Sequence, residues 1–401
     1  MEQLVADLPA VMVTGPRACG KTTTAARLAR TVVRLDRERE AAAFQADPDA
    51  ALRGLPEPVL LDEWQVVPGV LGAIKRTLDD DPYRPGRFVL TGSVRADLEQ
   101  AVWPGTGRVV RLAMTGLTAR EERGSVECPA FFDRIAEQGA ESLVAPADPP
   151  DLRDYVELAV RGGFPEPALR LPERSRRRWY EGYAEQLLTR DAELAGAHRD
   201  PVRLRRFFSA LALNTAGTVD MRTLFEAAGV SRDTAEAYER LLRSLFVVDA
   251  APAWSTQRLK RLVRTPKRYV VDPGLAAALI GVGAEGVMRD GNLLGRMIET
   301  FVYAQLRAEA AVGDLPAGLY HLRQDTGRRE VDLVAEIGAG QVVGIEIKAS
   351  SAPAADSARH LAWLRDQLGS TFELGIVFHT GPRVYPLDER IVAAPIAAIW
   401  S

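Results

Sequence analysis

The run Val11-Met12-Val13-Thr14-Gly15-Pro16-Arg17-Ala18-Cys19-Gly20-Lys21-Thr22 constrains the fold of this chain more than any other. Three apolar residues enter a loop whose Gly15, Gly20, Lys21 and Thr22 fit the spacing G-x-x-x-x-G-K-[ST], and Thr23-Thr24-Ala25-Ala26-Arg27-Leu28-Ala29 continues with a helical pattern. A loop that wraps an anionic phosphate with backbone N–H groups needs glycine where a side chain would block close approach. The helix that follows aims the positive end of its dipole at the same anion. Strand before and helix after predict an α/β unit. Gly15, Pro16, Arg17, Ala18, Cys19, Gly20, Lys21, Thr22 and Thr23 are expected around a nucleotide, with Lys21 on the outer phosphates and the Thr22 hydroxyl on Mg²⁺.

At 401 residues the chain is too long for one ordinary core, so two to four units are expected. A net charge of −3 announces no global affinity for nucleic acid or membrane, so any basic surface is local. Two cysteines, Cys19 and Cys128, make no disulfide framework and suit a reducing compartment. No apolar stretch is long enough to cross a bilayer, and the N-terminus carries no charged-then-apolar signal pattern. These readings bound the expectation to a cytoplasmic enzyme or regulator without a membrane partner.

Pro58-Val59-Leu60-Leu61-Asp62-Glu63 reads as a buried strand ending in two carboxylates. Central strands of a parallel sheet are nearly all apolar, and ligands gather at their carboxyl ends. Asp62 is therefore expected beside the phosphate loop, holding the Mg²⁺ shell through water, and Glu63 to orient and deprotonate the attacking water. Arg87-Phe88-Val89-Leu90 ends in Thr91-Gly92-Ser93, where the Ser93 hydroxyl either senses the γ-phosphate or caps the next helix. Arg108, before another β-rich run, is read either as a finger reaching a neighbouring subunit's nucleotide or as a solvated surface residue.

These residues carry a resemblance. Gly15-Pro16-Arg17…Gly20-Lys21-Thr22, Leu35-Asp36, Asp47-Pro48, Leu61-Asp62-Glu63-Trp64-Gln65 with Pro68, Ala73-Ile74-Lys75, Leu90-Thr91-Gly92-Ser93, Gly107-Arg108 and Gly162-Gly163-Phe164-Pro165-Glu166 together resemble bacterial and archaeal AAA-type ATPases that end in a nuclease-like domain. The resemblance spans essentially the whole chain and implies an AAA+-like core with ATPase activity. Ala18 and Cys19 depart from the residues usual before the second loop glycine. Cys19 reads as a small residue that fits, or as a thiol activated by an electropositive loop.

The expected architecture is multidomain α/β: a P-loop ATPase core over 1–117, a helical lid over 118–199, a winged helix over 200–285 and a restriction-endonuclease-like domain over 286–401. Gly162-Gly163-Phe164-Pro165 suits a lid hinge or a helix stop. Leu204 to Ala216, Met221 to Ala228, and a helix capped by Ser231 predict a helix-turn-helix. Gln257 to Arg268 holds six basic residues and no acid, which reads as a wing that contacts DNA phosphates or as part of a protein-interaction module.

Glu299 shares a helical face with Gly295, Val302 and Leu306, an expensive place for a carboxylate unless it is paired or ligates metal. Arg329 to Val334 and Val342 to Lys348 read as a hairpin, with Asp332 opposite Val331 and Leu333, and Glu346 and Lys348 on one face. An Asp and a Glu-x-Lys on paired strands make the PD-(D/E)XK arrangement, without its signature proline. Glu299, Asp332 and Glu346 are then metal candidates, with Glu346 and Lys348 also catalytic. The combined expectation is an ATPase that uses ATP and Mg²⁺ to drive or gate work on DNA, as a homo-oligomer. The alternative is a nucleotide-controlled switch whose nuclease-like domain is an inactive protein-interaction scaffold.

Overall fold

The computed structural model describes residues 1–81, 83–93, 107–124, 127–192, 200–256, 265–324 and 328–401. The N-terminal domain is a five-stranded sheet of β1 (Ala10–Thr14), β2 (Thr31–Arg34), β3 (Val59–Asp62), β4 (Phe88–Gly92) and β5 (Val109–Ala113). Its order is β2-β3-β4-β1-β5 and every pairing is parallel. The three central strands are buried along their whole length, which is why they read as continuous apolar runs rather than alternating ones. Helices α1 (Lys21–Ala26) and α2 (Val70–Asp80) follow β1 and β3.

Helices α3 (Phe131–Gln138), α4 (Leu152–Arg161) and α5 (Glu173–Gln186) come next. Asp151 starts α4 with a capping box, accepting from the Asp154 amide while the Asp154 carboxylate accepts from the Asp151 amide. Then α6 (Pro201–Leu213), α7 (Met221–Ala228) and α8 (Arg232–Ser244) lead to an antiparallel pair, β6 (Val248–Ala251) and β7 (Lys267–Val270). Ser231 caps α8 by accepting from the Thr234 amide.

Helix α9 (Pro273–Ile280) and the long α10 (Gly291–Val312) precede a six-stranded mixed sheet. Its strands are β8 (Ala317–Gln324), β9 (Arg329–Ile337), β10 (Gln341–Ile347), β11 (Phe372–His379), β12 (Tyr385–Asp388) and β13 (Ile391–Pro395), with α11 (Arg359–Leu368) between β10 and β11. The order is β12-β13-β11-β10-β9-β8, antiparallel across β8-β9-β10 and parallel across β10-β11-β13.

Two hydrophobic clusters line the two faces of the N-terminal sheet. Of two further clusters, one joins buried residues from Ala119 to Trp400 across the segments expected as lid, winged helix and C-terminal domain, and the other packs α11 on the C-terminal sheet. Cys19 of the phosphate loop joins the first of these. No helix among the described residues is long and apolar enough to cross a membrane.

Candidate functional site

The parallel register brings the carboxyl ends of β1, β3 and β4 level: Thr14 pairs with Gly92, and Asp62 with Thr91. Gly15 follows β1, and a Cβ there would lie 2.1 Å from the Met114 carbonyl oxygen, so only glycine fits as the chain after β5 crosses. Gly20 sits at φ 101°, in the left-handed region, at the entry to α1. Lys21 is buried, and its ammonium donates to the carbonyls of Gly15 (3.0 Å) and Pro16 (2.7 Å). Thr23 is exposed on the first turn.

Because β4 lies between β1 and β3, it supplies hydroxyls to the acidic pair. Thr22 Oγ1 donates to Asp62 Oδ1 at 2.7 Å, and the fully buried Thr91 donates to the same oxygen. Glu63 has φ 54°, a left-handed backbone uncommon for a residue with a side chain. Its carboxylate accepts from the Gln65 amide and from Ser93 Oγ at 3.4 Å. Burial pushes the Glu63 carboxyl above its usual range, while Lys21 and Arg17 pull it back. Burial likewise raises the Cys19 thiol despite Lys21, which fits the small-residue reading.

Arg108 is not brought here. It precedes the first residue of β5, at the opposite end of the sheet from the loop, and pairs with Asp79 at 3.1 Å. The helical body does reach the loop. Tyr183 OH donates to the Arg17 carbonyl at 3.3 Å, and Tyr183 stacks on Trp179 with ring centroids 5.2 Å apart. Phe164, from the Gly-Gly-Phe-Pro turn, packs on both rings.

A second charged centre forms in the C-terminal half. Glu299 from α10, Asp332 from β9, and Glu346 and Lys348 at the end of β10 converge, as the alternation predicts. Lys348 Nζ donates to Glu346 Oε2 at 2.7 Å, and Asp332 Oδ2 accepts from the Ile347 amide at 2.9 Å. Burial pushes Glu299 up to about 7 and Glu346 up as well. The same centre holds Lys267, whose Nζ is 2.5 Å from Glu299 Oε1 and 3.5 Å from Asp332 Oδ1. Among the described residues no group of three or more His, Cys, Asp or Glu has metal-holding geometry.

Lys267 corrects the reading of the basic run. It and Arg268 are buried, and Arg268 pairs with Glu239 at 3.0 Å, so both cations serve the interior rather than an exposed wing. Residues 257–264 of that run lie outside the described residues.

Residues 7–122 match the AAA domain family, while 152–286 and 294–399 match two domains of unknown function, DUF8612 and DUF4143. The chain is 30% identical over 391 residues to uncharacterized protein Rv2008c of Mycobacterium tuberculosis, covering 96% of this chain and 80% of that protein. The same figures hold for uncharacterized protein Mb2031c of Mycobacterium bovis. The chain belongs to this family of AAA-type ATPases. Among solved structures, the Walker-type ATPase PABY2304 of Pyrococcus abyssi is similar at 16% identity and TM-score 0.41, over 69% of this chain and 93% of that one. A RuvB variant of Thermotoga maritima is similar at 19% identity and TM-score 0.28, over 64% and 87%.

In this AAA-type protein, Gln65, Thr91 and Tyr183 line the candidate site without a role assigned from the sequence, and Lys267 was read there only as part of the basic run. Gln65 and Thr91 lay inside quoted motifs but carried no assigned role. Tyr183 and Lys267 act across long sequence separations, and β7 is buried on both faces, so no alternation marks Lys267 as inward.

Proposed function

We propose that this chain is a Mg²⁺-dependent ATPase whose nucleotide cycle is transmitted to the body formed by residues 119–400. The observation that carries the reading is the paired network at the strand ends: Thr22 and Thr91 on Asp62, with Gln65 and Ser93 on Glu63. Lys21 exchanges two loop carbonyls for the outer phosphate oxygens of ATP, a trade its three donors allow. Glu63, held by Gln65 and Ser93, orients the attacking water and accepts its proton; its burial makes it a stronger base than a free carboxylate. The Thr22 hydroxyl and Asp62 carboxylate fit a cation, and Mg²⁺ there supplies neutralisation of phosphate charge. The contact of Tyr183 with the Arg17 carbonyl is the route by which the helical body senses the loop.

The use of this cycle in the proposal is on DNA, through α6 to α8 and the β6-β7 pair as a winged helix, with a restriction-like domain behind them. Homo-oligomerisation is part of the proposal only where Arg108 serves a neighbour's nucleotide, and turnover per subunit that rises with protein concentration tests it. A second reading, a nucleotide-controlled switch with a C-terminal scaffold that binds a protein partner, is favoured by Lys267 standing among the carboxylates. One experiment separates the two. ATP turnover is measured with and without single- and double-stranded DNA, with Lys21→Ala as the blank and the DNA followed on a gel. Turnover stimulated by DNA in a salt-sensitive way supports the first reading. Turnover indifferent to DNA supports the switch, and turnover equal in Lys21→Ala overturns both.

A further inference from the structure

The C-terminal centre contains its own cation. Lys267 belongs to β7, outside the six-stranded sheet, yet its side chain is 3% exposed and ends among that domain's carboxylates. Its Nζ lies 2.5 Å from Glu299 Oε1, 3.5 Å from Asp332 Oδ1 and 3.4 Å from the Asp332 carbonyl. An ammonium has donors and no acceptor; this one donates to the Asp332 carbonyl and forms ion pairs with the Glu299 and Asp332 carboxylates. The carboxylates are committed elsewhere too: Glu299 Oε1 also accepts from Tyr269 OH at 2.9 Å, and Asp332 Oδ2 from the Ile347 amide. Glu346 is served by Lys348 on one oxygen, while its other oxygen is buried without a hydrogen-bond partner. His360, 4.0 Å from that oxygen, directs the same ring nitrogen to the Glu330 carbonyl at 2.6 Å.

A restriction-like domain implies a divalent ion between these carboxylates. The residues do not fit one in this arrangement, because an ammonium already stands between Glu299 and Asp332. We propose that Lys267 is the resident cation of this centre, an internal substitute for a metal ion that locks the β6-β7 pair onto the C-terminal domain and closes the centre to metal-dependent chemistry. The lock has neighbours that hold it in register. Tyr269, two residues on, stacks on Tyr303 of α10 with centroids 3.8 Å apart, and the Trp254 amide donates to the His321 carbonyl at 2.6 Å. Trp254 Nε1 also donates to Glu336 at 2.9 Å. Breaking a buried pair from one side leaves an uncompensated charge, which is far more disruptive than removing both partners.

The comparison with a metal site rests on the restriction-like reading; the lock itself rests only on the distances. The test uses the full chain without nucleotide. Melting temperature and Mn²⁺ binding, by calorimetric titration and by the paramagnetic resonance signal of free Mn²⁺, are measured for wild type, Asp332→Asn, Lys267→Met, Lys267→Met/Glu299→Gln and Lys267→Met/Asp332→Asn. Lys267→Met is expected to melt several degrees lower, and the added Glu299→Gln to recover at least half of that loss. Wild type is expected to show no Mn²⁺ site that Asp332→Asn abolishes, whereas Lys267→Met gains one that the Asp332→Asn double variant loses. A destabilised and rescued Lys267→Met that takes up no Mn²⁺ upholds the lock and overturns the restriction-like reading instead. Wild-type melting in Lys267→Met, or Mn²⁺ bound by wild type and lost in Asp332→Asn, overturns the proposal. If Lys267→Met does not fold, a folded Lys267→Met/Glu299→Gln upholds the compensation and an unfolded one overturns it.

Discussion

Replacing Gly163 by alanine tests how the ATPase core is joined to the rest of the chain. Gly116, just past β5, and Gly163, in the turn after α4, meet backbone to backbone. A Cβ on Gly163 would stand 2.6 Å from the Leu117 carbonyl oxygen and 3.2 Å from the Leu117 nitrogen, well inside the 3.4 Å at which ordinary contact begins. No flexible side chain is there to swing aside, so one backbone must move. That movement pulls on two bonds of the same residue: the Leu117 amide to the Gly163 carbonyl at 2.6 Å, and the Gly163 amide to the buried Asp272 carboxylate at 2.7 Å. Overpacking costs about 1–3 kcal/mol and a weakened bond to a charged group about 1 kcal/mol more, so a total loss of roughly 2–4 kcal/mol is expected. At about 2–4 °C per kcal/mol for a domain of this size class, scanning calorimetry should show a drop of several degrees. The adjoining Phe164 and Pro165 pack toward the phosphate loop, so the variant should also bind nucleotide more weakly. A Gly163→Ala protein melting within about one degree of wild type would refute the close contact as the joint.

Two further substitutions probe the same body. Arg120→Met removes the partner of Glu309, a carboxylate 2% exposed that accepts from Arg120 Nη1 and from the Phe131 amide, both at 2.8 Å; urea unfolding should report a loss of about 3–5 kcal/mol, largely recovered by adding Glu309→Gln. Gly182→Ala places a methyl in the interior of α5 where nothing lies within 4 Å, and should raise stability by about 0.5–1 kcal/mol in the same assay; a loss would show that the glycine serves a contact.

What the sequence disclosed follows the range over which each feature acts. The phosphate loop and the acidic strand end are local, so Gly15, Lys21, Thr22, Asp62 and Glu63 were legible from spacing. The same holds for the helix limits at Met221–Ala228 and for the alternation that gathers Asp332, Glu346 and Lys348. Features set by distant packing were not. The basic run ending in Arg268 reads as surface because positive charge is usually solvated, yet Lys267 and Arg268 are drawn inward by Glu299, Asp332 and Glu239. Arg108, expected to serve a neighbouring subunit's nucleotide or to lie solvated on the surface, stands at the far end of the sheet from its own loop and pairs with Asp79. The core shared by residues from Ala119 to Trp400 was not legible because Arg120 and Glu309, or Tyr155 and the Ala397 amide, meet across long sequence separations.

The central claim is that Glu63 performs the chemistry of ATP hydrolysis at a loop that binds nucleotide independently of it. The direct measurement is turnover of Mg²⁺-ATP by wild type and by Glu63→Gln, alongside the affinity of each for a fluorescent nucleotide. Glutamine keeps the shape and the hydrogen bond to Ser93 but cannot accept a proton, so turnover should fall by about 10²–10⁴-fold while affinity stays within about threefold of wild type. Turnover in Glu63→Gln equal to wild type would contradict the assignment.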